Sequence, residues 1–321
     1  MLTATANIAQ AQVYGLKEDD DYSLSTQGDT WIFTITPPAA LVGVLSPYHI
    51  PAPIRIVDSG NHPVKWVDGL AINSNGELFA YVNSIHGGTP STLSGSTAKL
   101  VNIHKTTGEA TDVGTVILTD AWIAGAAFDM NGNLWVINYI KDNQGHHQLL
   151  KIDPSTGIAS FPIAVTGVTL DSTNSVDIAF DSDNQAYLSA NDSVYLLDVT
   201  NGAVNLLHTF PVTYTSTQAH SPDIGGIAFY RNGEVWFAQG SRDDRIIYGT
   251  GIQALAFAHN AVLNLSTATG TENSGPMDLA SWPVKVPISV PANNSIALIS
   301  LALGMVGAGG VMLRRRRKQL Q

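Results

Sequence analysis

The sequence predicts an all-β fold, a five-bladed β-propeller closed by strands from both ends of the chain. Three observations predict it: a short strand–turn–strand pattern recurs four times, a second turn motif follows each copy, and incomplete copies stand at both ends. Four-stranded antiparallel units that recur every ~40–55 residues are typical of propeller blades.

The recurring pattern reads as a β-hairpin. Each copy has a short apolar strand containing an alanine, then a polar turn, then a strand with an aromatic residue. Three copies have Asn-Gly in the turn, which favours two-residue hairpin turns because both residues tolerate positive φ. The copies span residues 69–79, 125–135, 177–187 and 226–236.

A second pair of strands follows each hairpin and reverses at a glycine. The turns are Thr107-Gly108, Thr156-Gly157, Asn201-Gly202 and Thr269-Gly270. Each unit therefore contains four strands, as a propeller blade does.

Equivalent alanines set the number of units. Ala71, Ala127, Ala179 and Ala228 are 56, 52 and 49 residues apart, and Ala280 lies another 52 residues on, without a blade after it. Near the N-terminus, residues 13–16, 31–35 and 41–45 read as strands two, three and four of a blade that lacks its first strand. A sheet shared by both ends explains both observations and leaves no open sheet edge. The predicted propeller covers residues 13–283.

The amino-acid sequence of the repeat is similar to that of bacterial extracellular β-propeller domains of unknown function, which are related to NHL-like and quinoprotein-like repeats. The resemblance lies in motifs such as Ile-Asp-Pro-Ser-Thr-Gly at 152–157. It implies the fold and no particular activity.

Candidate ligand-binding residues stand five positions before the equivalent alanines. Segments that lead into inner strands surround the mouth of a propeller channel, and here they contain Trp66, Trp122, Asn174 and Asp223. Two indoles beside two polar side chains suit a glycan or a protein ligand. The alternative is that the tryptophans pack between blades as ordinary core.

Two aspartates replace a glycine of the repeat. Asp177 and Asp278 stand where other copies have Gly69, Gly125 and Gly226. Two carboxylates facing a channel are candidate Ca²⁺ ligands, or they could accept hydrogen bonds from backbone amides. No ligand run of the Asp-x-Asp-x-Asp-Gly kind accompanies them, so neither a metal site nor a cofactor is predicted.

The sequence contains no Gly-x-Ser-x-Gly elbow and no His-Glu-x-x-His motif, so no catalytic residue is predicted. A secreted metal-dependent hydrolase of the lactonase type stays open as the alternative function, because such enzymes share this fold.

Charge excludes one class of partner. Five of the 16 basic residues lie near the C-terminus, which leaves 11 against 26 acidic residues, a net charge of −15 for the rest of the chain. Such a body repels nucleic acid.

The C-terminal region predicts a membrane segment. A Pro-rich linker at 284–294 precedes a segment at 295–321, which contains 18 uncharged residues from Ile296 to Leu313 and ends in a basic cluster. Eighteen helical residues span ~27 Å, close to the ~30 Å of a bilayer core. The basic cluster stays on the cytoplasmic side and thereby places the body outside the inner membrane. Its residues are Arg314, Arg315, Arg316, Arg317 and Lys318.

This tail resembles the C-terminal sorting signals that exosortases process in Gram-negative bacteria, the IPTL-CTERM and PEP-CTERM-like signals. Val290 and Pro291 match the first two motif positions, whereas Ala292 and Asn293 stand where the IPTL-CTERM family has Thr-Leu. The resemblance implies cleavage near Val290-Pro291 and release of the body or its attachment to the cell surface. The alternative is a permanent single-helix anchor.

The N-terminus predicts export. Residues 1–12 include Ala9-Gln10-Ala11, which has the small-x-small form of a signal-peptidase site. We therefore interpret this segment as the remnant of a signal peptide whose natural start lies upstream. The sequence as a whole predicts an exported, non-enzymatic binding or structural module of the cell surface or extracellular matrix.

Overall fold

A computed structural model describes residues 12–18, 28–35, 53–84, 95–170, 176–210, 214–215, 218–219, 224–230, 234–239, 245–250, 259–262 and 276–282. The chain divides into two compact units, Met1–Val284 and Lys285–Gln321. The second unit, with the sorting motif, the apolar segment and the basic cluster, lies outside the described residues. Within the described ranges no helix combines the length and the apolar character needed to cross a bilayer.

The described part of the first unit is built from antiparallel β-sheets. Near the N-terminus three strands pair in chain order: β1 (Val13–Glu18), β2 (Thr30–Ile35) and β3 (Ile54–Arg55). The first blade contains β4 (Val67–Ile72), β5 (Leu78–Asn83), β6 (Thr97–Ile103) and β7 (Ala110–Thr119). The second blade contains β8 (Ile123–Phe128), β9 (Leu134–Asn138), β10 (Gln148–Ile152) and β11 (Ile163–Ala164).

The later sheets repeat this order. The third blade contains β12 (Val176–Phe180), β13 (Ala186–Ala190), β14 (Ser193–Leu197) and β15 (Val204–Thr209). A short ribbon follows, formed by β16 (Tyr214–Thr215) and β17 (Gln218–Ala219). The fourth blade contains β18 (Ile224–Phe229), β19 (Glu234–Gln239), β20 (Arg245–Thr250) and β21 (His259–Val262).

The final strand, β22 (Pro276–Ser281), pairs with β1 and completes a composite sheet of order β22-β1-β2-β3. Val13 lies opposite Ser281 in this pairing. The innermost strands contact one another in a closed circuit: β4 contacts β8, β8 contacts β12, β12 contacts β18, β18 contacts β22, and β22 contacts β4.

The predicted fold class needs correction in its number of blades. Among the described residues, four blades, not five, are made of four consecutive strands, and the remaining four-stranded sheet is assembled from both ends of the chain. The outer strand of that composite sheet also differs from the prediction. It is Ile54–Arg55, which pairs with Trp31 and Ile32, whereas the predicted strand at 41–45 lies outside the described residues. The predicted C-terminal helix lies outside them too.

The hydrophobic core lies between neighbouring sheets. Side chains of a strand point alternately to its two faces, so a strand inside a propeller packs against a sheet on each side. On β5, Leu78 packs with residues of the composite sheet, while Phe79 packs with the second blade and contacts Phe128 edge-on at 5.3 Å. Similar clusters join the second blade to the third and the third to the fourth.

The hairpin turns differ from the predicted two-residue type. In the first blade, Asn73 N donates to Glu77 O (3.1 Å), which leaves a three-residue loop in which only Gly76 has a positive φ, 77°. The Asn73 side chain stabilises this loop by accepting hydrogen bonds from the backbone amides of Asn75 and Glu77, both at 3.0 Å. Asp129 and Asp181 accept the equivalent bonds in the next two blades. An Asn or Asp three residues before the residue with positive φ (Gly76, Gly132 or Asn184) therefore stabilises each loop.

Candidate functional site

Trp66 and Trp122 occupy equivalent positions at one end of the inner strands. Each directly precedes an inner strand, and its carbonyl oxygen accepts a hydrogen bond from the second strand or the residue after it: Asn83 N donates to Trp66 O (3.0 Å) and Tyr139 N to Trp122 O (2.8 Å). Both side chains are half-buried. Both residues therefore lie at the end of the sheets from which the chain enters the inner strands, which we call the channel mouth, and Trp122 also packs against the hydrophobic cluster between the second and third blades.

The backbone at Trp66 is strained. Its φ is 55°, in the left-handed region that bulky side chains rarely adopt. The conformation is held by hydrogen bonds on both sides of the residue, since Trp66 N also donates to Gly28 O (2.9 Å). The indole lies directly over Gly28, where any side chain would collide with its Nε1. Strain of this kind is concentrated at functional sites.

Trp122 is fixed by polar and aromatic contacts. Its backbone N donates to Asn138 Oδ1 (3.1 Å), and its ring meets the ring of Tyr139 edge-on at 4.8 Å. The indole Nε1 donates to Asp68 Oδ2 over 3.4 Å. Asp68 is 7% exposed and lies on β4, so this bond joins the second blade to the first.

Asn83 completes the polar contacts beneath Trp122. Its Nδ2 donates to Asp68 Oδ2 (3.4 Å) and to Ile123 O (3.0 Å), while its Oδ1 accepts from Ile123 N (3.0 Å). The amide therefore satisfies both backbone groups of the first residue of β8. The result is a carboxylate and an indole held in fixed positions at the mouth, which can offer a ligand a flat apolar face and a hydrogen-bond acceptor.

Asn174 and Asp223, the other two predicted mouth residues, lie outside the described residues. The sorting residues Val290, Pro291, Ala292 and Asn293 and the basic cluster from Arg314 to Lys318 lie outside them as well.

Asp177 and Asp278 meet in the centre of the ring of inner strands. Both are 0% exposed. Asp177 Oδ1 accepts from Ile178 N (2.7 Å), and its Oδ2 accepts from Ile227 N (2.8 Å) on the fourth blade. Asp278 Oδ2 accepts from Leu70 N on the first blade. Each carboxyl group thus joins its own sheet to the next, which is the backbone-amide alternative that the sequence left open.

The two carboxyl groups also interact with each other. Burial, together with the neighbouring Asp278 carboxyl, raises the pKa of Asp177 well above its usual range. Burial raises the pKa of Asp278 to about 8. Two carboxyl groups in mutual contact and without solvent are not both ionised at neutral pH. In the described part of the chain, no three His, Cys, Asp or Glu side chains are grouped as metal ligands.

No family model matches the chain, and no curated protein matches it. Solved structures do show similarity. A PQQ-bound aldose sugar dehydrogenase from Streptomyces coelicolor is 14% identical with a TM-score of 0.35, over 57% of this chain and 59% of its own. A protein of unknown function from Bacteroides thetaiotaomicron is 12% identical with a TM-score of 0.44, over 74% and 62%. The periplasmic gluconolactonase of Pseudomonas aeruginosa is 13% identical with a TM-score of 0.40, over 74% and 78%.

The chain spans less than two thirds of the length of the first two of these structures. Similarity at this level does not extend to an activity, a substrate or a cofactor. The described strands themselves show that the body of the chain is a β-propeller.

Sequence reasoning missed one residue near the mouth. His147 stands in the polar loop between β9 and β10, yet it is 3% exposed, its ring lies 4.8 Å from that of Tyr139, and its Nδ1 donates to Tyr139 O (2.6 Å). Burial lowers the pKa of His147. The neutral ring therefore supports Tyr139, which in turn contacts Trp122. Two adjacent histidines in a polar loop gave no signal that one of them turns inward.

Proposed function

We propose that this protein is a non-enzymatic binding module that holds a glycan at the channel mouth of its propeller. The observation that carries the proposal is the pair of half-buried indoles at equivalent positions, one of which donates to a buried carboxylate. A pyranose ring presents an apolar face that stacks on an indole and hydroxyl groups that donate to a carboxylate. A protein ligand with an exposed aromatic or amide group is the second ligand class that these groups suit.

The arrangement around Trp122 supports a site that exists before the ligand arrives. Asn138 and Tyr139 hold its backbone, and Asp68 holds its indole Nε1. Groups that are already in place lose little conformational entropy on binding, which increases affinity. A ligand hydroxyl that replaces the long 3.4 Å bond to Asp68 would form a stronger, shorter bond.

The binding proposal is tested with the full-length protein, purified in mild detergent and applied to a glycan array. A hit is then titrated against wild type, Trp122→Leu and Trp135→Leu. Trp135 is the matched control because it lies beside the hairpin turn of the second blade, away from the mouth. There its Nε1 donates to Asp129 Oδ2 (3.1 Å). We expect Trp122→Leu to weaken binding about tenfold, or ~1.4 kcal/mol, and Trp135→Leu to leave the affinity unchanged.

Circular dichroism and thermal unfolding of both variants show whether each one folds. Equal affinities for wild type and folded Trp122→Leu would contradict a ligand site at this mouth. An array without any hit would favour the structural role, a matrix component that needs no specific ligand.

We further propose that the protein is exported and sorted through its C-terminal tail. The support is the order of Val290-Pro291, the apolar segment and the basic cluster Arg314–Lys318 in the sequence. In this proposal the inner membrane holds the tail, and an exosortase-like enzyme cleaves near Val290 and releases the body to the cell surface or the medium. Mass spectrometry of the mature C-terminus from membranes and medium tests it. A C-terminus close to residue 290 in the medium is expected, whereas the intact chain in the cytosol would contradict export.

A further inference from the structure

The centre of the ring holds one layer of five equivalent residues, Gly69, Gly125, Asp177, Gly226 and Asp278. Glycine is required beside each aspartate because the inner strands approach closely. A Cβ on Gly125 would lie 2.6 Å from the Cα of Asp177, and one on Gly226 would lie 2.9 Å from the carbonyl carbon of Asp278. The layer therefore has room for two carboxyl groups and no further side chain.

The hydrogen bonds distinguish the two carboxyl groups. Both oxygens of Asp177 accept backbone N–H groups, from Ile178 and Ile227. Such bonds favour the ionised form of a carboxyl group. Asp278 accepts from Leu70 through Oδ2, while its Oδ1 is buried and accepts no hydrogen bond from a donor of the described residues. Asp278 Oδ1 is therefore the oxygen through which the pair can share a proton.

We propose that a single proton, shared between Asp278 Oδ1 and the Asp177 carboxyl group, locks the third blade to the composite sheet across the centre of the propeller. The bond crosses the position of Gly226, the equivalent residue of the fourth blade, which has no side chain. With this proton in place, carboxyl bonds join β18 to β12, β12 to β22, and β22 to β4. Loss of the proton leaves two adjacent buried carboxylates, which repel each other and weaken the closure.

The alternative is a metal ion bound between Asp177 and Asp278, but the four carboxyl oxygens offer too few free ligand atoms for one. Ca²⁺ takes six to eight oxygen ligands. Both Asp177 oxygens and one Asp278 oxygen already accept backbone amides, which leaves one free oxygen of the pair. A proton needs only that one oxygen and an acceptor.

The other titratable groups around the pair lie on the strands that contact β12 and β22. Asp68 of β4 disfavours ionisation of Asp278 through its negative charge. Neither β8 nor β18 contains a titratable residue. The titratable residues of the remaining strands that contact β12 or β22 are Tyr187 of β13, Glu234 of β19, and Tyr14, Lys17 and Glu18 of β1.

The sign of the pH effect follows from proton linkage. The folded pair keeps a proton that the unfolded chain releases above the usual carboxyl pKa of 3.8, so the stabilisation is complete below that value and declines as pH rises towards about 8. Within this window one retained proton increases the unfolding equilibrium constant about tenfold for each pH unit. Above the window the contribution of the proton is lost.

The test compares urea unfolding of the full-length wild type, Asp278→Asn and Asp177→Asn between about pH 5 and pH 9. An Asn at 278 mimics the protonated acid, since its Oδ1 can accept from Leu70 and its Nδ2 can donate to Asp177. We expect this variant to lose the tenfold dependence per pH unit that wild type shows. His147 titrates in both proteins, so the difference between them isolates the pair.

Asp177→Asn is the directional control. An amide at 177 would face one of the two donating backbone amides with its own N–H₂ group, so this variant should be less stable than Asp278→Asn at every pH. An infrared band of a protonated carboxyl, present in wild type at neutral pH, provides a readout that does not depend on any variant. Three outcomes would overturn the single-proton lock. The unfolding equilibrium constant of wild type could be independent of pH in this window, it could change a hundredfold per pH unit, or the two variants could be equally stable at every pH. Stabilisation of wild type by Ca²⁺ at pH 9 that Asp278→Asn abolishes would overturn it in favour of a metal.

Discussion

Close contact between inner strands predicts a large effect for Gly125→Ala. The new methyl group would lie 2.6 Å from the Cα of Asp177, 2.8 Å from Val176 O and 2.9 Å from Asp177 Oδ1. Carbon atoms pack at ~3.5–4 Å, so β8 and β12 would have to separate by about 1 Å. Two of the three contacts involve backbone atoms, so rotation of a side chain cannot relieve them.

The cost is estimated from overpacking. Extra methyl groups in a packed core cost ~1–3 kcal/mol, and the displacement of β12 also disturbs the bond from Ile227 N to Asp177, which is worth about 1 kcal/mol. The lower entropy of an unfolded chain with Ala in place of Gly offsets ~0.4–1 kcal/mol. We expect a net loss of about 2–3 kcal/mol. For a propeller of this length, that lowers Tm by roughly 5–10 °C.

Gly132→Ala is the matched control. Gly132 has a φ of 82°, and its substituted Cβ would meet no atom within 4 Å, so the cost there is conformational only, ~1 kcal/mol. Urea unfolding followed by tryptophan fluorescence measures both variants. The reasoning would be refuted if Gly125→Ala were no less stable than Gly132→Ala, because the inner strands would then not be in the tight contact described.

Three further substitutions or conditions have defined outcomes. Tyr81→Phe should be neutral or up to ~1 kcal/mol more stable by thermal unfolding, since the buried hydroxyl accepts and donates no hydrogen bond among the described residues; a loss above 1 kcal/mol would reveal a partner. Asp129→Ala should cost about 2–3 kcal/mol in urea unfolding, because the backbone amides of Asn131 and Asn133 and the indole of Trp135 lose their acceptor. Hydrogen bonds from Ser155 and Thr200 lower the pKa of Asp153 and Asp198 respectively, so their turns contribute stability above the usual carboxyl pKa that disappears as pH falls through the lowered values. In Asp198→Ala the free energy of unfolding should therefore fall less steeply with decreasing pH below the usual carboxyl pKa than it does in wild type. An unchanged slope of the free energy against pH would contradict this.

Strands and their order were the most predictable part of the structure. The repeated hairpin motif with its equivalent alanines located every inner strand, and the glycine turns Gly108, Gly157 and Gly202 have positive φ as their sequences indicate. Asn184 adopts a φ of 65°, in the place that glycine holds in the neighbouring hairpins. These features depend on local backbone preferences, which a sequence records directly.

Features that depend on contacts between blades were harder to predict. The sequence placed Asp177 and Asp278 in one layer, but not the bonds to Ile227 and Leu70, because those involve backbone amides that every residue has. The inward turn of His147 depends on a carbonyl group of Tyr139, which likewise has no sequence signature. Trp66 and Trp122 share a position, yet only the structure shows that one lies over Gly28 and the other donates to Asp68.

The pairing of Val13 with Ser281 places the two ends of the described ring beside each other. Paired residues of an antiparallel sheet lie ~5 Å apart, so a linker of a few residues would join them without altering a single blade. A circularly permuted chain could then open at the Asn131–Gly132 turn, where a Cβ on the glycine would meet no atom within 4 Å, and still assemble the same ring. The architecture would thus be independent of where translation starts.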